Sequence, residues 1–217
     1  AVLLGLALLA STARAVFAEG LSKKEKAEGF ASLFDGKTLK GWIGSTKGYV
    51  AEDGLLVCLK KKGGTLLTDR EYSDFVLRFE FRLPPGGNNG LAIRYPGSGD
   101  TAYVGMCELQ VLDDSAKKFA KLHPAQYHGS AYGMVPAARG YQRPVGEWNF
   151  QEVTVDGTRI KVELNGTLIL NADLAKVDNP MYDLAKFKGR LRESGYFGFA
   201  GHGDAVSFRN ISIRNIK

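Results

Sequence analysis

Residues 74–83, DFVLRFEFRL, alternate so strictly that few folds can house them. Successive side chains of a strand point to opposite faces, so Phe75, Leu77, Phe79, Phe81 and Leu83 fall on one side and Arg78, Glu80 and Arg82 on the other. One face must be dry, and the other reads as solvent-facing or tied into an ion network. Similar short runs recur along the chain, separated by Gly, Asp, Asn and Pro, and few stretches carry helical periodicity. The pattern predicts an all-β protein built as a two-sheet antiparallel β-sandwich.

The turns support this reading. PPGGNNG (84–90) leads into LAIRYP, where Arg94 has the parity of Ala92, opposite Leu91 and Ile93. Asp156-Gly157 and Asn165-Gly166 separate alternating runs and suit hairpins, because each pair tolerates positive φ. In VSFRNISIRNI, Val206 and Phe208 share a face with Ile211 and Ile213 only if a bulge lies near Arg209-Asn210. Residues 115–149 lack sustained periodicity and predict a long loop of the kind that often carries function.

The chain has 217 residues, of which 44% are hydrophobic. That suits a single domain of about 190 residues over 30–217. Residues 1–18, a Leu/Ala run followed by A-x-A-like sites, read as a secretory signal peptide truncated at its start and too short to span a bilayer. The expected location is secreted or periplasmic, with a charged linker or frayed helix over 19–29. Cys58 and Cys107 lie on core-facing patterns, which favours two buried thiols over one disulfide. The formal net charge of +6 is spread along the chain. It lacks the clustering and stacking aromatics of a nucleic-acid footprint, so neither a nucleic-acid partner nor a membrane span is expected. No zinc motif, nucleotide loop or Gly-x-Ser-x-Gly elbow is present.

MCELQVLDD (106–114) is the strongest functional signal. Cys107, Leu109 and Val111 share the buried side of a strand, while Glu108 and Gln110 project from the other, about 7 Å apart. Such a strand, ending in Asp113 and Asp114, resembles the floor and rim of a cleft. Aspartates at a strand end also serve as turn residues, so Asp113 reads as an acid, a ligand or a metal anchor on one view and as turn chemistry on the other. Tyr132 suits a ligand-stacking ring or a core aromatic, and Trp148 favours the core. His123 and His128 have no metal-ligand spacing.

FASLFDGKTLKGW (30–42), DGLLVC (53–58), DFVLRFEFR, NNGLAIRYP (88–96), ELQVLDD (108–114), HGSAYG (128–133), PVGEWN (144–149), LNG (164–166) and GHGDAVSFRNISIR (201–214) occur in one order. Together they resemble the 3-keto-disaccharide hydrolase domain family from Phe30 to the end of the chain. The resemblance implies a jelly roll of the concanavalin-like lectin/glucanase type, with sugar lying across one concave sheet. The family often carries Gln and a further polar residue before the HG pair, where this chain has Gly198-Phe199-Ala200-Gly201. His202 is thus left as the only titratable group there.

On this resemblance the substrate is a 3-keto-glycoside or disaccharide, cleaved by elimination or hydrolysis. The residues expected to act are Glu108, His202 and Asp113, with Arg94, Gln110 and Tyr132 binding substrate. Glu108 and Asp113 together would also suit ordinary acid/base hydrolysis. No cofactor is fixed by the sequence, and a divalent cation, the one candidate, would fall to Glu108 and Asp113. The alternative is a carbohydrate-binding module without catalysis, since the same concave face serves lectins.

Overall fold

The computed structural model describes residues 20–216, so the expected leader 1–18 lies outside them. The described strands are β1 Ala31–Ser32, β2 Trp42–Gly44, β3 Tyr49–Glu52, β4 Leu55–Cys58, β5 Gly64–Tyr72, β6 Phe75–Arg82, β7 Asn88–Tyr95, β8 Cys107–Leu112, β9 Trp148–Asp156, β10 Arg159–Leu164, β11 Thr167–Asp173, β12 Gly195–Gly201 and β13 Ser207–Asn215. They form an eight-stranded sheet, β11-β10-β9-β6-β13-β4-β3 with β1 also on β13, and a five-stranded sheet, β2-β5-β12-β7-β8. The pairings within both sheets are antiparallel. The expected two-sheet sandwich is what the chain forms.

The alternation in β6 drives the packing. Phe75, Leu77, Phe79 and Phe81 are fully buried and meet Leu91, Ile93, Cys107, Leu109, Val111, Phe197 and Phe199 of the smaller sheet in one core cluster. Phe79 meets Phe199 edge-on at 6.1 Å, and Phe199 packs on Phe208 at 4.0 Å. Burying each such ring is worth about 2–3 kcal/mol. The polar face of β6 forms an ion network: Arg78 bonds Glu28 and Glu152, and Glu80 bonds Arg209 and Asn210. Trp148 lies on this outer face, clamped between Arg82 and Arg209 at 4.8 and 4.1 Å, which corrects its expected place in the core.

The turns follow their chemistry with one slip. Asn165 and Gly166 take φ of +51° and +85° between the paired residues Leu164 and Thr167. In the preceding hairpin Asp156 pairs with Arg159, so the turn is Gly157-Thr158, one residue later than expected. The bulge in β13 is present, with a register shift between Arg209 and Ser212 and Asn210 at φ +52°. Residues Lys23–Ala27 form a short helix, α1, closed by a reciprocal Ser22–Glu25 cap. Glu28 ties this segment to Arg78 at 2.9 Å, so it is docked on the larger sheet. Cys58 and Cys107 are both free and buried, on different sheets. No helix among the described residues is long and apolar enough to cross a membrane.

The parity argument fails at Arg94. Tyr196 pairs with Tyr95 but Gly198 with Ala92, so β7 carries one extra residue against β12, and Arg94 takes φ +46°. A single inserted residue exchanges the faces beyond it. The guanidinium is therefore buried at one end of the sandwich. There it donates to the carbonyls of Ser73, Gly157 and Arg192 and to Asp74 Oδ1, all at 2.7–2.8 Å. These bonds pin the β5–β6 turn and the β9–β10 hairpin together. Removing one partner of a buried charged network leaves the others unsatisfied, so Arg94→Met is expected to lose about 3 kcal/mol of stability by urea denaturation. A loss below about 1 kcal/mol would show that the network is dispensable.

Candidate active site

β8 is an edge strand of the smaller sheet, and an unpaired edge needs covering. Residues from the long loop do this. Gly129 N–H donates to the Gln110 carbonyl, Gln110 N–H to the Ser130 carbonyl and Tyr132 N–H to the Glu108 carbonyl, at 2.8, 3.1 and 2.9 Å. This pairing sets Tyr132 beside Glu108. On the other side, Asp100 caps α2, Thr101–Val104, whose first residue folds back onto the same carboxylate.

Glu108 is only 4% exposed. Its Oε2 accepts from the Thr101 hydroxyl at 2.5 Å and its Oε1 from Gln110 Nε2 at 3.1 Å, with His202 Nε2 3.6 Å from Oε1. The floor beneath is made of small residues: Gly90 and Ala92 of β7 stand opposite Gln110 and Glu108, and Gly90 also pairs with Ala200 of β12. A Cβ on Gly90 would collide with the Glu108 carboxyl carbon and Oε1. The NNG sequence therefore ends in glycine because the carboxylate lies directly across it. Ala200, the position where the polar family residue is missing, is buried floor.

These groups enclose a cavity of about 250 Å³. Glu108, Gln110, Tyr132 and His202 line it, so the structure brings four of the six expected residues together. Asn88, Tyr103 and Gln126 also line it, and the Asn88 amide oxygen is buried without a protein partner, leaving an open acceptor. The Gln126 amide donates to the Tyr132 hydroxyl at 3.1 Å, which leaves that hydroxyl's own proton for another acceptor. Burial raises the Tyr132 pKa, and burial with the neighbouring Tyr132 and Tyr182 pushes Tyr103 up to about 12, so both remain donors across the neutral range. Thr101, Tyr103 and Gln126 were not found from sequence, because the one-turn helix α2 and the long loop are too short or too irregular to show periodicity.

Arg94 and Asp113 lie elsewhere. Asp113 has the opposite parity to Glu108 and lines a separate cavity of about 540 Å³ with Asp114 and Arg139. Its carboxylate accepts from Gly86 N–H at 2.7 Å and from the Ser115 N–H and hydroxyl at 2.9 and 2.5 Å. Burial alone would raise its pKa; the Ser115 and backbone hydrogen bonds outweigh that and hold it below the usual range. Asp113 is thus a loop anchor, and the expected Glu108–Asp113 carboxylate or cation pair is not formed. Among the described residues, no group of three or more His, Cys, Asp or Glu side chains is placed to hold a metal ion. His128, one of the two histidines of the long loop, is buried against Phe81 at 5.0 Å, and burial lowers its pKa to about 4.

His202 sits exposed at the cavity mouth, just beyond β12. The Glu108 carboxylate beside it raises its pKa above 6.5. The pair is therefore an acid and a base in contact at a half-open cavity of mixed polar and apolar lining, on a two-sheet sandwich. Such a site suits proton transfer to and from a small polyhydroxylated ligand.

The comparisons fit that class. Residues 29–214 match the model of the 3-keto-alpha-glucoside-1,2-lyase-like domain, and the chain belongs to that family. A 3-keto-disaccharide hydrolase of Bacteroides thetaiotaomicron is 29% identical over 87% of this chain and 79% of its own length. A crystal structure of a putative glycosyl hydrolase from Parabacteroides distasonis superposes with TM-score 0.79 at 25% identity, covering 91% of this chain and 98% of the other. A Bacillus subtilis protein with a galectin-like fold shares the architecture alone, with TM-score 0.51 at 12% identity over 81% of this chain and 90% of its own.

Raising the folded pKa of His202 makes its ion pair with Glu108 stabilising below the unfolded value of about 6.5, a contribution lost as pH rises through the folded value. Titration of the His202 ring by NMR should give a midpoint above 6.5 that falls in Glu108→Gln. An unchanged midpoint in that variant would show that the two groups are not coupled.

Proposed function

We propose that this chain cleaves the glycosidic bond of a 3-keto-glycoside, a 3-keto-disaccharide foremost, by proton abstraction at C2. The observation that carries the reading is the contact between Glu108 and His202 in a cavity that also presents the Tyr103 and Tyr132 hydroxyls and the Asn88, Gln110 and Gln126 amides beside the apolar Leu112, Phe119 and Leu122. A ketone at C3 acidifies the C2 proton, and the enolate left behind is placed to expel the oxygen on C1. No oxocarbenium ion is needed.

Glu108 takes the C2 proton, and the C–H electrons form the enolate, whose oxygen is stabilised by a hydrogen bond from the protonated Tyr132 or Tyr103 hydroxyl. The enolate then collapses: the C3 carbonyl reforms, a C1=C2 double bond forms, and the C1–O bond breaks. His202, as imidazolium, gives its proton to the departing oxygen. Glu108 is now protonated and His202 neutral. If water adds at C1, His202 takes a proton from it and Glu108 returns its proton to C2, which resets both groups. Elimination alone makes the protein a lyase, and elimination followed by hydration makes it a hydrolase.

Gln110 and Asn88 orient hydroxyls around the ring, and Thr101 and Gln110 fix the carboxylate so that little reorganisation accompanies proton transfer. General-base catalysis of this kind contributes about 10²–10⁴-fold. Glu108→Gln should lower kcat on a 3-keto-disaccharide at least about 100-fold while substrate still binds. Released monosaccharide is the readout. Unchanged turnover would remove Glu108 from catalysis, and binding without release by the native protein would identify a non-catalytic carbohydrate-binding module instead.

A further inference from the structure

The cavity around Glu108 measures about 250 Å³, below the about 300–1,000 Å³ of pockets that take drug-sized ligands. It suits one sugar ring. A second ring of a disaccharide must lie outside it, and an adjoining groove offers a place for it. A groove of about 760 Å³ shares Asp100 and Tyr103 with the cavity and runs on past Val104, Tyr182 and Lys186.

The shared wall is aromatic. Tyr103 meets Tyr132 edge-on at 6.4 Å on the cavity side and Tyr182 at 6.3 Å on the groove side. The segment carrying Tyr182 is built in: Met181 N–H donates to the Gly133 carbonyl at 2.6 Å, Gly189 N–H to the Tyr103 carbonyl at 3.1 Å, and the buried Phe187 packs on Tyr103 at 5.5 Å. Its outer rim is polar, with Lys186 Nζ 3.9 Å from the Tyr182 ring centre and Asp183 and Lys188 beside it. An apolar aromatic wall with charged groups at its edge is what a pyranose requires, since its C–H face stacks on rings while its hydroxyls reach charged or hydrogen-bonding side chains.

We propose that this groove, walled by Tyr103 and Tyr182, is the subsite for the leaving sugar of the disaccharide, while the oxidised ring occupies the cavity at Glu108. The assignment rests on the reading of the Glu108 cavity given above. It makes Tyr182 a specificity-determining residue that contacts the departing half of the substrate and none of the reacting atoms.

The test compares two substrates that differ only in the leaving group, a 3-keto-disaccharide and the matching methyl 3-keto-glucoside, on two variants. Tyr182→Ala removes the wall, and Ala185→Trp, at an exposed position lining the groove, fills it without disturbing the core. Each variant should raise KM for the disaccharide at least about tenfold, the effect of losing about 1.4 kcal/mol of binding, and leave kcat/KM for the methyl glycoside within about twofold. Equal losses on both substrates, or no loss on the disaccharide in either variant, would overturn the subsite and leave the Glu108 cavity standing. Failure of the native protein to cleave either substrate would overturn the reading of the cavity and the subsite with it.

Discussion

A carboxylate buried on an edge strand is the constraint around which the smaller sheet is organised. Leaving Glu108 unpaired at 4% exposure would be costly, and the structure answers with a hydroxyl, an amide and an imidazole on its two oxygens. Room for the side chain comes from below. Gly90 and Ala92 leave a shallow floor, and any side chain at Gly90 would strike the carboxyl group. The cover comes from the long loop, which pairs with the open edge of β8 and carries Tyr132 into place. Strand, floor and cover are interdependent, so changes in any of them reach the same carboxylate.

The polar residues that resemble site residues divide by where their hydrogen bonds go. Arg94 spends its donors on three carbonyls and Asp74 at the end of the sandwich, and Asp113 spends its acceptors on the turn at Gly86 and on Ser115. On the outside of the larger sheet Arg78 is neutralised by Glu28 and Glu152, and Arg209 by Glu80. Glu108 and His202 instead meet at the cavity that Gln110, Tyr103 and Tyr132 also line.

Period-two alternation made the core face of β6 and the polar face of β8 legible before any coordinates, and Asn165-Gly166 fixed its hairpin because both residues accept positive φ. Arg94 was misread because one extra residue in β7 reverses parity, and alternation carries no trace of a bulge set by pairing with a distant strand. Trp148 was misplaced because an aromatic clamped between two arginines on an outer face looks, in sequence, like a core aromatic. The approach of His202 to Glu108 joins segments far apart in the chain, and only the family resemblance pointed to it. Thr101 and Tyr103 reach the site on the one-turn helix α2, and Gln126 and Tyr182 on irregular segments, where local patterns say nothing about contacts.

On the proposed reading, cleavage with or without a final hydration begins with loss of the C2 proton. The most direct measurement is therefore the effect of deuterium at that position on the rate. With a 3-keto-glycoside deuterated at C2, the account predicts slower cleavage than with the protiated substrate, because the C2–D bond breaks before the C1–O bond. Cleavage of the deuterated substrate at an undiminished rate would contradict it.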